Sequence, residues 1–331
     1  MQLKAVIVGC GRVSRFHAQA YQHLDNVRLL AGVDINPEKR KSFTEKFKVP
    51  TFRSVKELLS KMEVNLVSVC TPSNLHAKMA CELMREGVNV LIEKPVCLSE
   101  DEANMLMETK KKTGVVVATC FQNRFNLPVI WLKKMIERKK LGKIFFCQIC
   151  VRWYRDQKYF QDEWHGSKQK SGGGVLMTQS IHHVDLLRCF IGNPDKIIGY
   201  TMNSRNFAEV EDIVIANMTT KIGTLIGLEC STVAYSSDFE ASISVLAENG
   251  TIKIGGKSLN RIEYGCIKGE KVPTGLNSKD PINVYGTSHI LLIKDVIKAI
   301  QKKEDVSVSL EEGIKTWRLV KQIYSSLESF E

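Results

Sequence analysis

Hydrophobic residues follow two rhythms along the 331-residue chain, and the change falls near residue 125. Up to that point they come in short, largely apolar runs without regular polar alternation, at 3–9, 27–34, 66–70, 89–92 and 115–121. A strand without polar alternation is buried on both faces, the condition inside a parallel sheet covered by helices. The segments between the runs carry helix punctuation. Asn36 caps a helix that opens on Pro37, Ser54 and Glu57 form a capping box, Ser99 precedes Glu100-Asp101-Glu102, and Gly87 and Gly114 close two helices. Alternating strands and helices predict an α/β domain over residues 1–122.

Past residue 125 the spacing predicts a helix over 128–139, a strand over 144–154 and a polar, aromatic loop over 154–171. Alternating or β-rich runs then recur at 196–202, 212–219, 224–232, 239–246, 251–254 and 261–264. Glu248-Asn249-Gly250 joins two of them as a hairpin turning on Asn-Gly. This is an antiparallel sheet. Helices over 288–302 and 310–327 finish the chain, the second capped by Ser309 with Glu312 behind it. Residues 123–331 therefore read as an α+β domain whose last helix packs back onto the first domain.

One stretch stands apart. Gly172-Gly173-Gly174 leads into a helical pattern in which Met177, Ile181, Val184, Leu187 and Ile191 form an apolar stripe. Glycine carries no Cβ, so three in a row let backbone approach a ligand closely. On a continuous helix Thr178, His182 and Asp185 share a neighbouring stripe, presenting a hydroxyl, an imidazole and a carboxylate. His183 points elsewhere and reads as structural.

The first domain supplies the other half of the chemistry. Gly9-Cys10-Gly11-Arg12-Val13-Ser14 sits between a strand and a helix, and Asp34 ends the next strand. Glycines at the turn and the exposed amides of a helix N-terminus receive a pyrophosphate, while a strand-end acid accepts the ribose hydroxyls. A carboxylate there repels a 2′-phosphate, so the expected cofactor is NAD. Ser14 replaces the usual third glycine, a small-for-small change. In such sheets ligands bind beyond the carboxyl ends of the strands. Thr71-Pro72-Ser73-Asn74, Glu93-Lys94-Pro95 and Gln122-Asn123-Arg124 all lie there, with His76 just beyond the first. Lys94 could hold and polarise a substrate hydroxyl. His182 has the side chain whose ordinary pKa suits proton transfer near neutrality, with Asp185 placed to orient it. In the loop, Arg155 could clamp a carboxylate or phosphate, and Tyr154, Tyr159 and Trp164 could stack on a sugar or base. No spacing of histidines and cysteines suggests a metal, and the single C-x-x-C pair, Cys147 and Cys150, lies across a strand.

Composition changes the picture little. Hydrophobic content of 44% and charged content of 25% are those of an ordinary globular protein. The net charge of +11 is scattered without interleaved aromatics, which argues against nucleic acid and leaves room for steering an anionic small substrate. There is no signal-peptide pattern and no apolar run long enough to span a membrane, so a cytoplasmic location with ten reduced cysteines is expected.

With these residues in hand, the whole chain resembles the glucose–fructose oxidoreductase / inositol dehydrogenase (Gfo/Idh/MocA) family. The glycine turn with His17, Thr71 to Asn74 with His76, and Glu93-Lys94-Pro95 stand where that family has its cofactor motifs. Residues 172–185 are similar to its second-domain signature. The resemblance implies a Rossmann domain and a C-terminal open, mostly antiparallel sheet whose face forms contacts in a homo-oligomer, a dimer or tetramer. It implies NAD contacts from Gly9, Gly11, Arg12, Val13, Asp34, Thr71, Pro72, Asn74, His76, Glu93, Lys94 and Gln122. It places Lys94 and His182 in catalysis, and Tyr154, Arg155, Tyr159, Trp164, Thr178 and Gln179 at the substrate, with a cis Lys94-Pro95 bond. Many members carry aspartate where Thr178 stands. Those that lack it and look most similar oxidise UDP-N-acetylglucosaminuronic acid at C3. Alternatives within the fold are a dehydrogenase of free sugars, inositol or dihydrodiols, and a non-catalytic NAD-bound sensor.

Overall fold

The computed structural model describes residues 2–162, 164–279 and 286–330 and divides into two compact units. The first holds the residues up to Phe121 together with His289–Lys315. Its six strands are β1 (Leu3–Val8), β2 (Val27–Val33), β3 (Thr51–Phe52), β4 (Leu66–Val69), β5 (Asn89–Ile92) and β6 (Val117–Thr119). They form one parallel sheet in the order β3-β2-β1-β4-β5-β6. This is the Rossmann order, and it reverses direction between β1 and β4, the point beyond whose strand ends sheets of this kind bind ligands. Val6, Ile7, Leu66, Val67, Val69, Leu91 and Ile92 are wholly buried, as runs without polar alternation require.

The intervening helices are α1 (Ser14–His23), α2 (Pro37–Phe47), α3 (Val55–Leu59), α4 (His76–Arg85) and α5 (Glu100–Thr113). Their caps are the ones the sequence signals. Asn36 accepts from the Glu38 and Lys39 amides, Ser54 from Glu57 and Ser99 from Glu102. Gly114 closes α5 in the left-handed conformation at φ 67°. Only β3 carried no signal of its own, since two residues at a sheet edge show no periodicity.

The second unit, Gln122–Ser288 with Thr316 onward, contains α6 (Leu127–Glu137), β7 (Ile144–Arg152) and three short helices. These are α7 (Lys168–Ser171), α8 (Val175–Thr178) and α9 (Ile181–Phe190). Strands β8 (Lys196–Met202), β9 (Ile213–Thr219), β10 (Leu225–Ser231), β11 (Glu240–Ala247), β12 (Gly250–Gly255) and β13 (Arg261–Ile267) follow. With β14 (Glu328–Phe330) they build an eight-stranded sheet ordered β13-β12-β11-β7-β10-β9-β8-β14. Neighbours are antiparallel except β7 with β10 and β8 with β14. One face is core, with Val214, Ala216, Met218, Ile226, Leu228, Ile149, Ile243 and Val245 buried on alternate positions.

Three details depart from the sequence reading. Ala247 pairs with Gly250, so the hairpin turns on Glu248-Asn249 and Gly250 already belongs to β12. The expected single helix after Gly174 is two helices. The Ser180 amide bonds five residues back to Val175 O at 2.8 Å, a wide turn that ends α8 and resets the phase of α9. The chain also ends in a strand, β14, rather than in helix.

The C-terminal helices are α10 (His289–Lys302) and α11 (Leu310–Ser325). Helix α10 packs on α1, with Leu292, Ile293, Val296 and Ile297 buried. Thr119 N and Oγ1 donate to the carbonyls of Val308 and Ser309 at 2.9 and 3.0 Å, and Lys110 pairs with Glu311 at 2.6 Å. Among the described residues no helix is long and apolar enough to cross a membrane.

Candidate active site

In the first unit the glycine turn is built by two opposite requirements. Gly9 has φ 96°, and a Cβ there would lie 2.5 Å from the Cys70 carbonyl carbon and oxygen. The β1 turn is thus pressed against the end of β4. At Gly11 a Cβ would meet no protein atom within 4 Å. That is open space in front of a helix whose first turn has no side-chain cap and no acid. Uncapped amides at a helix N-terminus attract an anion such as a pyrophosphate. Ser14 is buried and donates to the Gly11 carbonyl at 2.6 Å, so its hydroxyl braces the turn where glycine is usual. Asp34 accepts from the Cys10 amide and the Asn36 amide, both at 2.8 Å, which fixes its carboxylate at the end of β2.

Across the strand order, Thr71 Oγ1 is buried without a hydrogen-bond partner among the described residues. A buried orphan hydroxyl beside the glycine turn is what a bound dinucleotide would satisfy. His76 plays a different part. Its Nδ1 lies 2.7 Å from Pro95 O and its Nε2 2.8 Å from Thr71 O, so the ring ties the ends of β4 and β5 together. Burial depresses its pKa despite these two carbonyls. The Lys94-Pro95 bond is cis, as the family likeness implies. Lys94 is half-buried, and its amide donates to Glu93 Oε2 at 3.2 Å. Burial alone would raise the Glu93 pKa, but the His17 hydrogen bond and the charges of His17 and Lys94 outweigh it and hold the carboxylate ionised. Arg12 is exposed, Val13 and Asn74 are half-buried, and Pro72 precedes the 3₁₀ turn Ser73–Leu75.

In the second unit the glycine run has an explanation the sequence did not give. A Cβ on Gly173 would sit 2.4 Å from the Tyr324 hydroxyl, and one on Gly174 would sit 1.9 Å from Glu211 O. The glycines admit protein, not only ligand. Glu211 accepts from the Gly174 and Leu176 amides and from Tyr324 Oη at 2.9, 3.1 and 2.7 Å. Burial pushes its pKa up, against those donors. Together these contacts anchor α8 immediately ahead of the His182 helix.

The expected three-residue stripe does not hold. Thr178 Oγ1 donates back to Gly174 O at 2.7 Å. Asp185 does not serve as the partner that orients His182. Its carboxylate takes both arms of Arg124 at 2.6 Å and the Thr316 hydroxyl at 2.7 Å. A fully buried carboxylate needs a cation, and Arg124 supplies it in bidentate form. His182 is 8% exposed, while Gln179 Oε1 is buried with no hydrogen-bond partner among the described residues. His183 is structural in character. Its ring meets Trp153 edge-on at 6.0 Å and burial lowers its pKa to about 4.

The loop folds on itself. Tyr159 and Trp164 both lie against His165, at 4.3 and 3.8 Å between ring centroids. Arg155 lies over Trp153 and Tyr159 and pairs with Asp238 at 2.7 Å, while the Tyr154 amide donates to the same carboxylate at 3.0 Å. Glu163, within this loop, falls outside the described residues. Gln122 is buried and begins the 3₁₀ turn Gln122–Phe125. Glu211, Tyr324 and Thr316 were the supporting residues missed from sequence, and Arg124, expected at a ligand-facing strand end, pairs instead with Asp185. The glycine run and the buried-side acid at 185 were the only local signs that such partners existed.

A Rossmann sheet with an open glycine cradle, a strand-end acid and an orphan hydroxyl at its switch point defines an NAD-binding oxidoreductase. Comparison with known proteins agrees. The description "Oxidoreductase family, NAD-binding Rossmann fold" matches residues 3–121, and "GFO/IDH/MocA C-terminal domain" matches residues 129–253. The chain belongs to the GFO/IDH/MocA oxidoreductase family. It is similar to the crystal structure of the WlbA dehydrogenase from Bordetella pertussis in complex with NADH and UDP-GlcNAcA. That match has TM-score 0.88 and 28% identity over 98% of this chain and 96% of that one. It is 24% identical to a putative UDP-kanosamine synthase oxidoreductase subunit of Amycolatopsis mediterranei, covering 99% of this chain and 97% of that protein. It is 22% identical to the myo-inositol 2-dehydrogenase of Thermotoga maritima, covering 93% and 91%.

The glycines separate packing from ligand binding. Gly11→Ala should leave unfolding in urea within about 0.5 kcal/mol of the parent while weakening NAD binding, read by calorimetry. Gly9→Ala and Gly174→Ala should each lose about 1–3 kcal/mol of stability because their Cβ atoms collide with backbone; unchanged urea midpoints would contradict the packing described.

Proposed function

We propose that the protein is an NAD-dependent dehydrogenase that oxidises a secondary hydroxyl of a nucleotide-linked sugar acid, C3 of UDP-N-acetylglucosaminuronic acid being the best-supported choice. The observation that carries this reading is the likeness, over nearly the full length of both chains, to a dehydrogenase crystallised with NADH and UDP-GlcNAcA. The loop adds chemical support, since Arg155, Tyr154, Tyr159 and Trp164 suit a carboxylate, a diphosphate and flat rings. A free polyol substrate is the second reading, favoured by the likeness to myo-inositol 2-dehydrogenase.

Bound NAD supplies a hydride acceptor. In the proposed mechanism Lys94 donates a hydrogen bond to the reacting hydroxyl oxygen and stabilises the charge that grows there as the carbinol is oxidised. His182 accepts the hydroxyl proton. Thr178 has no carboxylate to assist it, so the proton leaves through His182 alone. Glu93 and His76 act through the backbone, holding the strand ends that carry Lys94.

His182→Ala and Lys94→Ala should each lower kcat by about 10²–10⁴-fold, with NAD affinity by calorimetry retained in both. UDP-N-acetylglucosaminuronic acid should outperform free inositol and glucose when NADH formation is followed by absorbance. Parent-like rates in both variants would remove the mechanism, and a preference for free polyols would replace the substrate.

The homo-oligomer expected for the protein would use the solvent face of the large sheet. There Ile198, Tyr200, Ile215 and Leu225 are 69%, 54%, 50% and 54% exposed, and Tyr200 and Ile215 are cross-strand partners. Apolar side chains gathered on one open face mark an association surface. Ile198→Arg with Ile215→Arg should convert the assembly to monomer in light scattering; an unchanged mass would exclude this face.

A further inference from the structure

The fold gathers four residues that no sequence spacing connects. His17 lies on α1, Glu93 just after β5, Cys120 just after β6 and His289 at the start of α10. One donor atom from each lies within 4.8 Å of all the others, and all four residues are buried, between 0% and 5% exposed. All belong to the first unit.

Three of these residues have ordinary partners, since Cys120 also hydrogen-bonds Glu93. His17 Nε2 lies 2.9 Å from Glu93 Oε1, and its Nδ1 lies 2.9 Å from Ser68 Oγ, which Tyr21 Oη meets at 2.6 Å. A histidine–carboxylate pair needs nothing further. His289 is different. It is 3% exposed, and neither Nδ1 nor Nε2 has a hydrogen-bond partner among the described residues. Its ring stacks on Phe16 at 5.3 Å and meets the His17 ring edge-on at 5.4 Å, so packing holds it in place beside the other donors. A neutral imidazole buried with both nitrogens idle is costly, and each idle nitrogen loses the water it had in the unfolded chain. Cys120 Sγ lies 3.8 Å from His17 Nε2, a soft donor facing the same point.

We propose that His17, Glu93, Cys120 and His289 form a binding site for a divalent transition-metal ion, zinc in the first instance. Two imidazole nitrogens, one thiolate and one carboxylate oxygen make the mixed N, S, O set that zinc accepts in four-coordinate sites. Four protein ligands leave no open position, so the ion's role is structural: it pins α10 to the ends of β5 and β6. Binding displaces water from the ion, forms a metal–sulfur bond, and releases to solvent both the Cys120 thiol proton and the proton that His17 Nε2 shares with Glu93. The thiolate and the Glu93 carboxylate then neutralise the dication, and both histidines bind as neutral rings. Ser68 and Tyr21 stand behind His17 Nδ1, the outer hydrogen bonds that orient a ligating imidazole.

Full-length protein from zinc-supplemented medium, dialysed against buffer and measured by plasma mass spectrometry, should carry about one zinc per chain. Replacement by Co²⁺ should give a near-ultraviolet sulfur-to-cobalt band and tetrahedral d–d absorption in the visible. Cys120→Ser should lose the sulfur band, and His289→Ala should lose most of the metal. Zinc far below one equivalent with no cobalt–sulfur band in the parent protein would overturn the site, a result independent of how the variants fold. Stoichiometric metal retained by both variants would also overturn it, by putting the ion elsewhere.

Discussion

Gly9 presses against the backbone of Cys70 and Thr71 so closely that no side chain fits between them. Much of the first unit's chemistry follows from that contact. It brings the turn after β1 onto the end of β4, the place where the strand order reverses. Asp34 then reaches the Cys10 amide, Ser14 reaches the Gly11 carbonyl, and the first turn of α1 is left facing open space. A parallel sheet aligns strand ends at one edge; the missing Cβ brings two of those ends together, and the dinucleotide cradle is what remains in front of them.

The second unit reaches order by another route. Its organising groups are buried carboxylates, each met by several donors. Asp185 takes both arms of Arg124, while Glu211, whose pKa burial pushes up, collects two backbone amides and a tyrosine hydroxyl. Buried polar networks of this kind tolerate few alternatives, because any member left unpaired is expensive. Their points of attachment, Gly174 and Leu176 for one and Asp185 for the other, bracket His182 in the chain.

The architecture was readable because it rests on local rules. Runs without polar alternation marked the parallel strands, alternation marked the antiparallel ones, and Asn36, Ser54 and Ser99 capped the helices they announced. Periodicity cannot see a single wide hydrogen bond. Ser180 makes one to Val175, and the stripe of Thr178, His182 and Asp185 dissolved with it. Partners distant in sequence were equally hidden. Nothing near residue 185 names Arg124, nothing near residue 173 names Tyr324, and His17 meets His289 only after both ends of the chain have folded. Backbone rules reach a few residues; burial of charge is settled by whatever the fold delivers.

The return of His289–Lys315 to the first unit bears on how the protein is made. Residues up to 121 emerge from the ribosome first, yet their α1 surface, their Thr119 groups and the space beside Val96 are covered by residues beyond 288. A nascent nucleotide-binding half would wait, with apolar surface open, until residues 289–315 had been synthesised. Proteolytic or engineered separation near residue 121 would not release a self-sufficient module. The cofactor half is thus discontinuous in sequence, its helix α10 following the whole of residues 122–288.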